Sequence, residues 1–348
     1  MADRFALDDL SVPVVAAPMA AGPSTPQLVA AVGAAGGLGF LAGGYRSAQQ
    51  LSEQMTSVRE LSSAPFGVNL FVPGPVGEGG EAALAAHVAA YAGALAVDAA
   101  RLGVSVPEPV WADDDDWEAK IALLTLVDPA PVVSFTFGVP GDDIVADLHT
   151  AGSAVWVSVT SPTEGEAARD AGADALVVQG FEAGGHRATH LVAATPNDLD
   201  HLGLLPLLAP LGLPLVAAGG ITTGGDVRRA LAAGAAAVQA GTAFLLCPEA
   251  GTSAAHRMGL TDPGLGSTVT RAFSGRAARG LANRFAVEHG DQAPAAYPVV
   301  DRLTKPLRAA AAAAGDIGGI SLWAGAGWRA ASEEPAADVV RRLAAGAS

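Results

Sequence analysis

The residues of this sequence best suited to chemistry surround one histidine, His186. Residues 179–187 read QGFEAGGHR, so the imidazole follows a pair of glycines. An imidazole titrates near neutral pH and can take a proton from a substrate, while glycines let a loop fold closely over a flat ligand. A lone histidine beside glycine is often only a hydrogen-bonded loop residue. This context therefore leaves a catalytic and a structural role for His186 open.

The remaining histidines form no recognisable metal site. His186 and His190 are four residues apart and could share a helix face, but the sequence offers no third ligand and no HxH or HExxH pattern. No metal is therefore expected. The histidines interpreted as structural or surface residues are His87, His149, His190, His201, His256 and His289.

Two glycine-containing segments predict a phosphate site. Residues 218–221 read AGGI and residues 239–242 read QAGT, each at the end of an apolar stretch. Phosphate must approach the backbone closely, where a Cβ would block it. No GxGxxG opens a helix after the first strand, so a mononucleotide such as FMN is favoured over a dinucleotide. The candidate phosphate-binding residues are Gly219, Gly220, Gln239, Ala240, Gly241 and Thr242.

Eight apolar segments that alternate with helical ones must position these groups. Unbroken apolar runs are typical of parallel strands buried on both faces. Their number, and the glycines and polar residues just after them, favour a closed α/β TIM (β/α)8 barrel over a doubly wound sheet, because barrel active sites lie at the carboxyl ends of the strands. The predicted strands are residues 12–19, 38–42, 66–71, 132–137, 154–159, 175–179, 213–218 and 236–243. Helices are predicted after Ser24 or Thr25, over 47–61, 81–102 and 142–150, after Pro162, over 223–233, and over 333–348 as a surface helix.

Two stretches interrupt this alternation. Residues 73–130 carry the acidic run 113–116, which is interpreted as a solvated loop or helix cap. Residues 247–308 are interpreted as an inserted lid near the barrel mouth. The predicted organisation is therefore a barrel of residues 1–246 and 309–348, which includes a C-terminal extension, with the lid at 247–308. The lid arginines Arg271, Arg276 and Arg279 are expected to pair with surface carboxylates rather than reach an anionic substrate.

Composition narrows the class of protein. The chain has 348 residues, is 50% hydrophobic and carries a net charge of −15, so a nucleic-acid partner is not expected. The single cysteine, Cys247, fits a reducing cytoplasm. The first ten residues lack the apolar region of a signal peptide. Glycine and proline interrupt the apolar stretches before the ~20 residues of a membrane span, so no membrane partner is expected; a homodimer stays open.

Several motifs together resemble the nitronate monooxygenases, formerly called 2-nitropropane dioxygenases. The similarity extends from Val12 to about Trp328, with its motifs in the expected order, and it implies an FMN-binding barrel. One departure is visible: the family usually continues the histidine motif with Arg-Gly, whereas this chain has Ala188 after Arg187. The departure puts the substrate pocket in question more than the cofactor site. The motifs are AAPM at 16–19, GVN at 67–69, FGVP at 137–140, EAGGH at 182–186, AGGI at 218–221, QAGTAF at 239–244, FSGR at 273–276 and WAG at 323–325.

The resemblance also implies a role for each matching residue. His186 would be the catalytic histidine. Asn69 and Gln179 would hydrogen-bond the flavin, and Gly184 would contact it through its backbone. Gly220 and the run from Gln239 to Thr242 would hold the ribityl phosphate. Packing near the isoalloxazine ring would come from Ala17, Pro18 and Met19.

The function that this resemblance implies is oxidation of alkyl nitronates, or of nitroalkanes, by dioxygen to a carbonyl compound and nitrite. A protonated His186 would attract the anionic nitronate, whereas a neutral one could remove the α-proton of a nitroalkane. Two alternatives stay open. One is an FMN-dependent NAD(P)H reductase, resembling enoyl-acyl-carrier-protein or quinone reductases. The other is a non-catalytic flavin-binding protein.

Overall fold

The computed structural model of the protein describes residues 4–75 and 79–347. Parts of three predictions lie outside the described residues. They are residues 1–3 of the N-terminal segment, residues 76–78 of the stretch 73–130, and Ser348 at the end of the predicted terminal helix.

Eight parallel strands form a closed barrel, as the sequence predicts. Their order around the barrel is β1-β2-β3-β4-β5-β6-β8-β9, and β9 pairs with β1 through Val15 and Gln239. A small antiparallel sheet, in the order β10-β11-β7, lies outside the barrel. The strands are β1 Val14–Ala16, β2 Leu38–Ala42, β3 Phe66–Phe71, β4 Val132–Thr136, β5 Ala154–Val159, β6 Ala175–Gln179, β7 Gly185–His186, β8 Leu215–Ala218, β9 Ala237–Ala240, β10 Ser267–Thr270 and β11 Ala278–Leu281.

The helices start where the sequence places capping residues. Thr25 accepts a hydrogen bond from the backbone N–H of Leu28, and Pro26 occupies the first turn of α1. The helices are α1 Pro26–Ala34, α2 Ala48–Leu61, α3 Gly80–Ala94, α4 Ala96–Leu102, α5 Trp117–Ala122, α6 Asp142–Thr150, α7 Pro162–Asp170, α8 His201–Leu208, α9 Gly224–Ala232, α10 Ala254–Thr261, α11 Arg284–His289, α12 Val299–Ala313 and α13 Ala336–Ala344.

Strands β1 and β9 are shorter than predicted, and local chemistry explains the difference. Strand β1 covers Val14–Ala16 rather than residues 12–19, because Pro13 and Pro18 flank it and cannot donate to a ladder. Strand β9 ends at Ala240, where Gly241 leads into a 3-10 turn. The loops that carry the candidate site therefore begin earlier than the sequence predicts.

Helix α13 completes the barrel. It packs against both α1 and α9, and its apolar face, which includes Val339, Val340 and Leu343, joins the same buried cluster as Leu28 and Val227. The predicted surface helix therefore occupies the place of the eighth barrel helix. A long insertion, residues 241–335, separates it from β9.

Two insertions pack together at the carboxyl ends of the strands. The first, between β3 and β4, contains α3, α4 and α5, and the second contains α10 to α12 with β10 and β11. Tyr91 and Leu95 of the first share a buried cluster with Phe273, Phe285 and Leu303 of the second. The predicted lid boundary at residue 308 falls within α12. The division of the chain into a barrel and a lid stays a prediction.

The acidic run at 113–116 lies in a loop, but two of its residues bind other elements of the protein. Asp115 pairs with the buried Lys120 at 2.8 Å and accepts a hydrogen bond from the backbone N–H of Tyr45. Asp116 accepts one from the N–H of Ala48 at the start of α2. The prediction of a solvated loop or helix cap is therefore confirmed in part: the run lies in a loop, Asp114 and Asp116 are exposed, and Asp116 is the N-cap residue of α5. It is wrong for Asp115, whose carboxylate is taken up by a buried lysine and a backbone donor on another element.

One helical stretch is long and apolar enough to cross a membrane. Gly80–Leu102 has 23 residues, and an 18-residue window within it has a mean hydropathy of 1.4 and is 28% buried. The prediction that glycine and proline keep such stretches short is wrong for this segment, whose hydropathy comes largely from alanine. Its buried face, which includes Val88 and Tyr91, packs in the apolar cluster shared by the two insertions.

Candidate active site

The carboxyl ends of the barrel strands surround a cavity of about 560 Å³. Its walls come from the loops after β1, β3, β4, β6, β8 and β9 and from the inner face of α12. All of the site residues predicted from the sequence line this one cavity. They are His186 with Ala17, Pro18, Met19, Asn69, Gln179, Gly184, Gly219, Gly220, Gln239, Ala240, Gly241 and Thr242.

One end of the cavity has the properties of an anion site. Gly219 and Gly220 have positive φ angles of 97° and 71°, which glycine adopts without strain. Among the described residues, none accepts a hydrogen bond from the backbone N–H of Gly220, Gly241 or Thr242. The hydroxyl of Thr242 accepts the N–H of Gly325 at 2.9 Å and keeps its own hydrogen for a ligand. Unpaired amides on two adjacent loops suit the phosphate of a mononucleotide.

The middle of the cavity combines apolar and polar walls. Ala17, Pro18 and Met19 follow β1, where the N–H of Ala17 donates to the carbonyl of Ala240. Across the barrel mouth, the side-chain amide of Asn69 donates to the Ser134 and Thr136 hydroxyls, which fixes its orientation. An apolar face beside a fixed amide suits a flat heteroaromatic ring with polar edges.

Gln179 shapes the loop that carries the histidine. Its side-chain nitrogen donates to the carbonyl of His186 at 3.0 Å, and its Oε1 accepts from the N–H of Ala188 and from Arg187. Only one amide hydrogen remains for a ligand. Ala188 is fully buried and does not line the cavity. The side chain that departs from the family motif therefore forms no part of the cavity wall.

Gly184 lies where two backbone segments touch. A Cβ built on it would stand 2.4 Å from the backbone nitrogen of Gly325. Glycine is required here because the neighbouring chain, not a flexible side chain, occupies the space. The contact holds the 182–186 loop against the 323–325 segment, and both line the cavity.

His186 is held by β-strand pairing and by three aromatic rings that surround its imidazole. It lies in β7, opposite Ala278 of β11, and its Nε2 is 2.8 Å from the hydroxyl of Ser274. The rings of Phe137, Tyr297 and Trp323 stand with centroids 5.5 to 5.7 Å from the imidazole. Burial, and then the positive charges of Arg276 and Arg308, lower the pKa of His186 to about 3. The imidazole is therefore neutral near pH 7.

Ser274 sets which nitrogen of His186 can act as a base. Its hydroxyl donates to the carbonyl of Arg276 and accepts that residue's N–H, each at 3.3 Å. Because the Arg276 carbonyl takes up the single hydrogen of this hydroxyl, we infer that the hydroxyl accepts from the Nε2–H of His186. The lone pair of the neutral imidazole is then on Nδ1, for which the described residues supply no partner.

The three lid arginines do not pair with surface carboxylates, so that prediction is wrong. Arg271 donates to the carbonyl of Ala194, Arg276 to that of Thr189, and Arg279 to that of Phe181. None of the three lines the main cavity. They instead hold the backbone of the 180–194 loop, where carbonyl oxygens replace carboxylates as acceptors.

Further residues at the cavity escaped the sequence analysis. His256, interpreted as structural or surface, lines the cavity with its Nε2 3.1 Å from the Trp323 carbonyl, and burial lowers its pKa to about 4. Lys305 and Arg308 of α12 also line it, and Arg308 pairs with Asp301 at 2.7 Å. Their spacing at i, i+4 and i+7 marks one helix face and could have revealed them.

Two aromatic residues of the cavity wall have strained backbones. Tyr45 and Phe137 have φ angles of 64° and 78°, which costs bulky residues roughly 1–3 kcal/mol each. Phe71 packs between them, at 5.6 Å from Tyr45 and 4.6 Å from Phe137. Strain of this kind persists only where neighbours hold it, so this wall is a tightly fixed part of the cavity.

Comparisons with known proteins agree across the whole chain. The sequence model of a family described as nitronate monooxygenase matches residues 5–346. The chain is 41% identical to a nitronate monooxygenase of Pseudomonas aeruginosa, covering 99% of this chain and 98% of the relative. It is 38% identical to one of Paraburkholderia phytofirmans, covering 95% and 91%.

Solved structures show the same similarity. Nitroalkane oxidase from Streptomyces ansochromogenes has a TM-score of 0.92 and 48% identity to this chain, covering 97% of this chain and 96% of the other. FabK from Thermotoga maritima has a TM-score of 0.73 at 23% identity, covering 98% and 94%. The second comparison shows a shared fold alone.

Proposed function

Because the chain belongs to the nitronate monooxygenase family, we propose that it uses FMN and dioxygen to oxidise alkyl nitronates and nitroalkanes to a carbonyl compound and nitrite. The enzyme is a flavin-dependent oxidoreductase. The observation that supports the finer proposal is a single cavity that joins the unpaired amides of two glycine loops to a neutral histidine.

The residues present fit FMN. The amides of Gly220, Gly241 and Thr242 would hold its phosphate, and Asn69 and Gln179 would contact its ring beside Ala17 and its neighbours. When bound, the flavin would supply electron transfer between substrate and dioxygen. A single phosphate-binding end also suits a mononucleotide better than a dinucleotide.

His186 would act on the substrate as a base. Its neutral state and the lone pair on Nδ1 suit removal of the α-proton of a nitroalkane at the cavity wall. The alternative of a protonated His186 that attracts a nitronate is less consistent with its lowered pKa. Attraction of the anion falls instead to Lys305 and Arg308, whose positive charges line the same cavity.

The test is an absorption spectrum of the purified protein followed by anaerobic titration. We expect a flavin spectrum that bleaches on addition of ethyl nitronate and recovers when air is admitted, with nitrite formed. A flavin that ignores the nitronate but bleaches with NADPH would instead support an NAD(P)H reductase. A protein that takes up no FMN on mixing would contradict the proposed cofactor.

A further inference from the structure

We propose that Phe137 is a specificity-determining residue, whose ring separates the substrate cavity from the guanidinium of Arg276 and keeps that wall apolar. The inference rests on the proposed function, because it concerns what can bind beside His186. It assigns to Phe137 the exclusion of a small anion, such as the product nitrite or the charged end of a substrate chain, from that side of the cavity.

Two cavities lie on either side of an aromatic wall. Phe137 and His186 line the main cavity, whereas Arg276 lines a second one of about 40 Å³. Tyr45 and Phe71 line both. Along the wall the rings follow in the order Tyr45, Phe71 and Phe137, because Phe71 packs on both of the others. The wall therefore separates the main cavity from a smaller one, which Arg276 lines together with Asp113, Asp114 and Asp115.

Phe137 contacts both the cation and the catalytic histidine. The Cζ atom of Arg276 lies 3.9 Å from the centroid of its ring, in the stacked position that a guanidinium prefers. The His186 ring stands edge-on to it at 5.7 Å. One ring thus contacts both the buried positive charge and the imidazole of His186.

The buried charge behind the ring is poorly neutralised. Arg276 is 3% exposed, and among the described residues its guanidinium pairs with no carboxylate. It donates to the carbonyl and hydroxyl of Thr189, and its Nε has no partner in the described part of the chain. A desolvated guanidinium with spare donors binds anions well once they can reach it. Loss of the ring would give them that access.

The backbone conformation of Phe137 indicates that its ring does more than fill space in the core. Its φ of 78° lies in the left-handed region, which glycine adopts freely and phenylalanine does not. The neighbouring position 138 is itself a glycine. Strain of this kind gathers at ligand-binding sites, and here it places a large ring between cavity and cation.

The experiment compares the FMN-loaded wild type with Phe137→Ala, Phe137→Leu and the double variant Phe137→Ala/Arg276→Met. Sodium nitrite is titrated into each at constant ionic strength. Binding is followed by calorimetry, and inhibition of ethyl nitronate oxidation is measured in parallel. Phe137→Gly, which relieves the strain, replaces the alanine variant if that one does not fold. Every variant keeps Lys305 and Arg308, so any nitrite binding by these two residues is the same in all of them and does not affect the comparison.

We expect nitrite to bind Phe137→Ala about tenfold or more tightly than the wild type, and Phe137→Leu to resemble the wild type. The double variant should lose the gain. A folded, flavin-loaded Phe137→Ala protein with wild-type nitrite affinity would overturn the inference, and so would a gain that survives in the double variant. If no variant oxidises nitronates, the proposed function fails, while calorimetry still decides the role of Phe137.

Discussion

At the scale of single residues, the site depends on a histidine whose protonation state is set by its neighbours. The sequence shows His186 beside glycines, which leaves its role open. The structure adds the Ser274 hydroxyl on Nε2 and two nearby guanidinium groups. Burial, and then the charges of Arg276 and Arg308, keep the imidazole neutral. We infer that the Ser274 contact leaves Nδ1 for proton transfer, which is the property that a base for nitroalkanes requires.

Replacement of His186 by asparagine should separate binding from chemistry. We expect His186→Asn to keep its flavin while kcat with nitroethane falls about 100- to 10,000-fold, the usual range for loss of a general base. His190→Asn is the matched control, because His190 contacts the Ser158 carbonyl and does not line the cavity. Steady-state oxygen consumption measures both. Wild-type turnover in His186→Asn would remove this residue from the mechanism.

The lowered pKa of His186 predicts that kcat/KM for nitroethane does not fall on the acid side of the pH profile. The base form exists above the pKa, so a pKa near 3 rather than 6.5 keeps it available as the pH falls. We expect kcat/KM for nitroethane to show no loss attributable to His186 from about pH 8 down to about pH 5. Replacing the nearby cation in Arg276→Met should raise that pKa and move the acid limb to higher pH. An acid limb near pH 6.5 in the wild type would contradict this account.

At the scale of elements, short loops after the strands carry the site, and glycine decides how closely they approach one another. The 182–186 loop lies on the 323–325 segment, and the loops after β8 and β9 present their amides to the cavity. Helix α12 contributes a charged face that the sequence analysis assigned to the lid. The loops are recognisable from local sequence, whereas their contact with α12 is not.

Gly184→Ala should damage this loop contact. Its new Cβ would fall 2.4 Å from a backbone nitrogen, so one of the two segments must shift. We expect weaker FMN binding, measured by the flavin retained after gel filtration. Gly93→Ala is the control, because nothing lies within 4 Å of a Cβ there. A helical glycine replaced by alanine gains roughly 0.5–1 kcal/mol of stability. Full flavin retention in Gly184→Ala would show that the loops tolerate the shift.

At the scale of the whole molecule, the barrel is closed by a helix that comes after a long insertion. Helix α13 fills the gap between α1 and α9 and buries Leu343 completely. The insertions over the strand ends meet in their own apolar cluster and cover the site. Stability and the shape of the cavity therefore depend on segments far apart in the chain.

Leu343→Ala should test the place of α13 in the barrel core. Loss of a fully buried leucine typically destabilises a protein by about 2–5 kcal/mol, which thermal or urea unfolding would reveal. Arg341→Ala, on the exposed side of the same helix, should change stability by no more than about 0.5 kcal/mol. Equal, small effects of the two substitutions would mean that α13 does not complete the core.

Local sequence determined the barrel, the order of its strands and the glycine and histidine motifs, because apolar runs, caps and close-approach glycines each depend on a few neighbouring residues. Only the tertiary structure decided the rest. The Ser274 partner of His186 is 88 residues away, the arginines bind carbonyls rather than carboxylates, and α13 rather than a nearer helix closes the barrel. Such contacts join residues that no local pattern relates, so they become definite only when the whole chain packs.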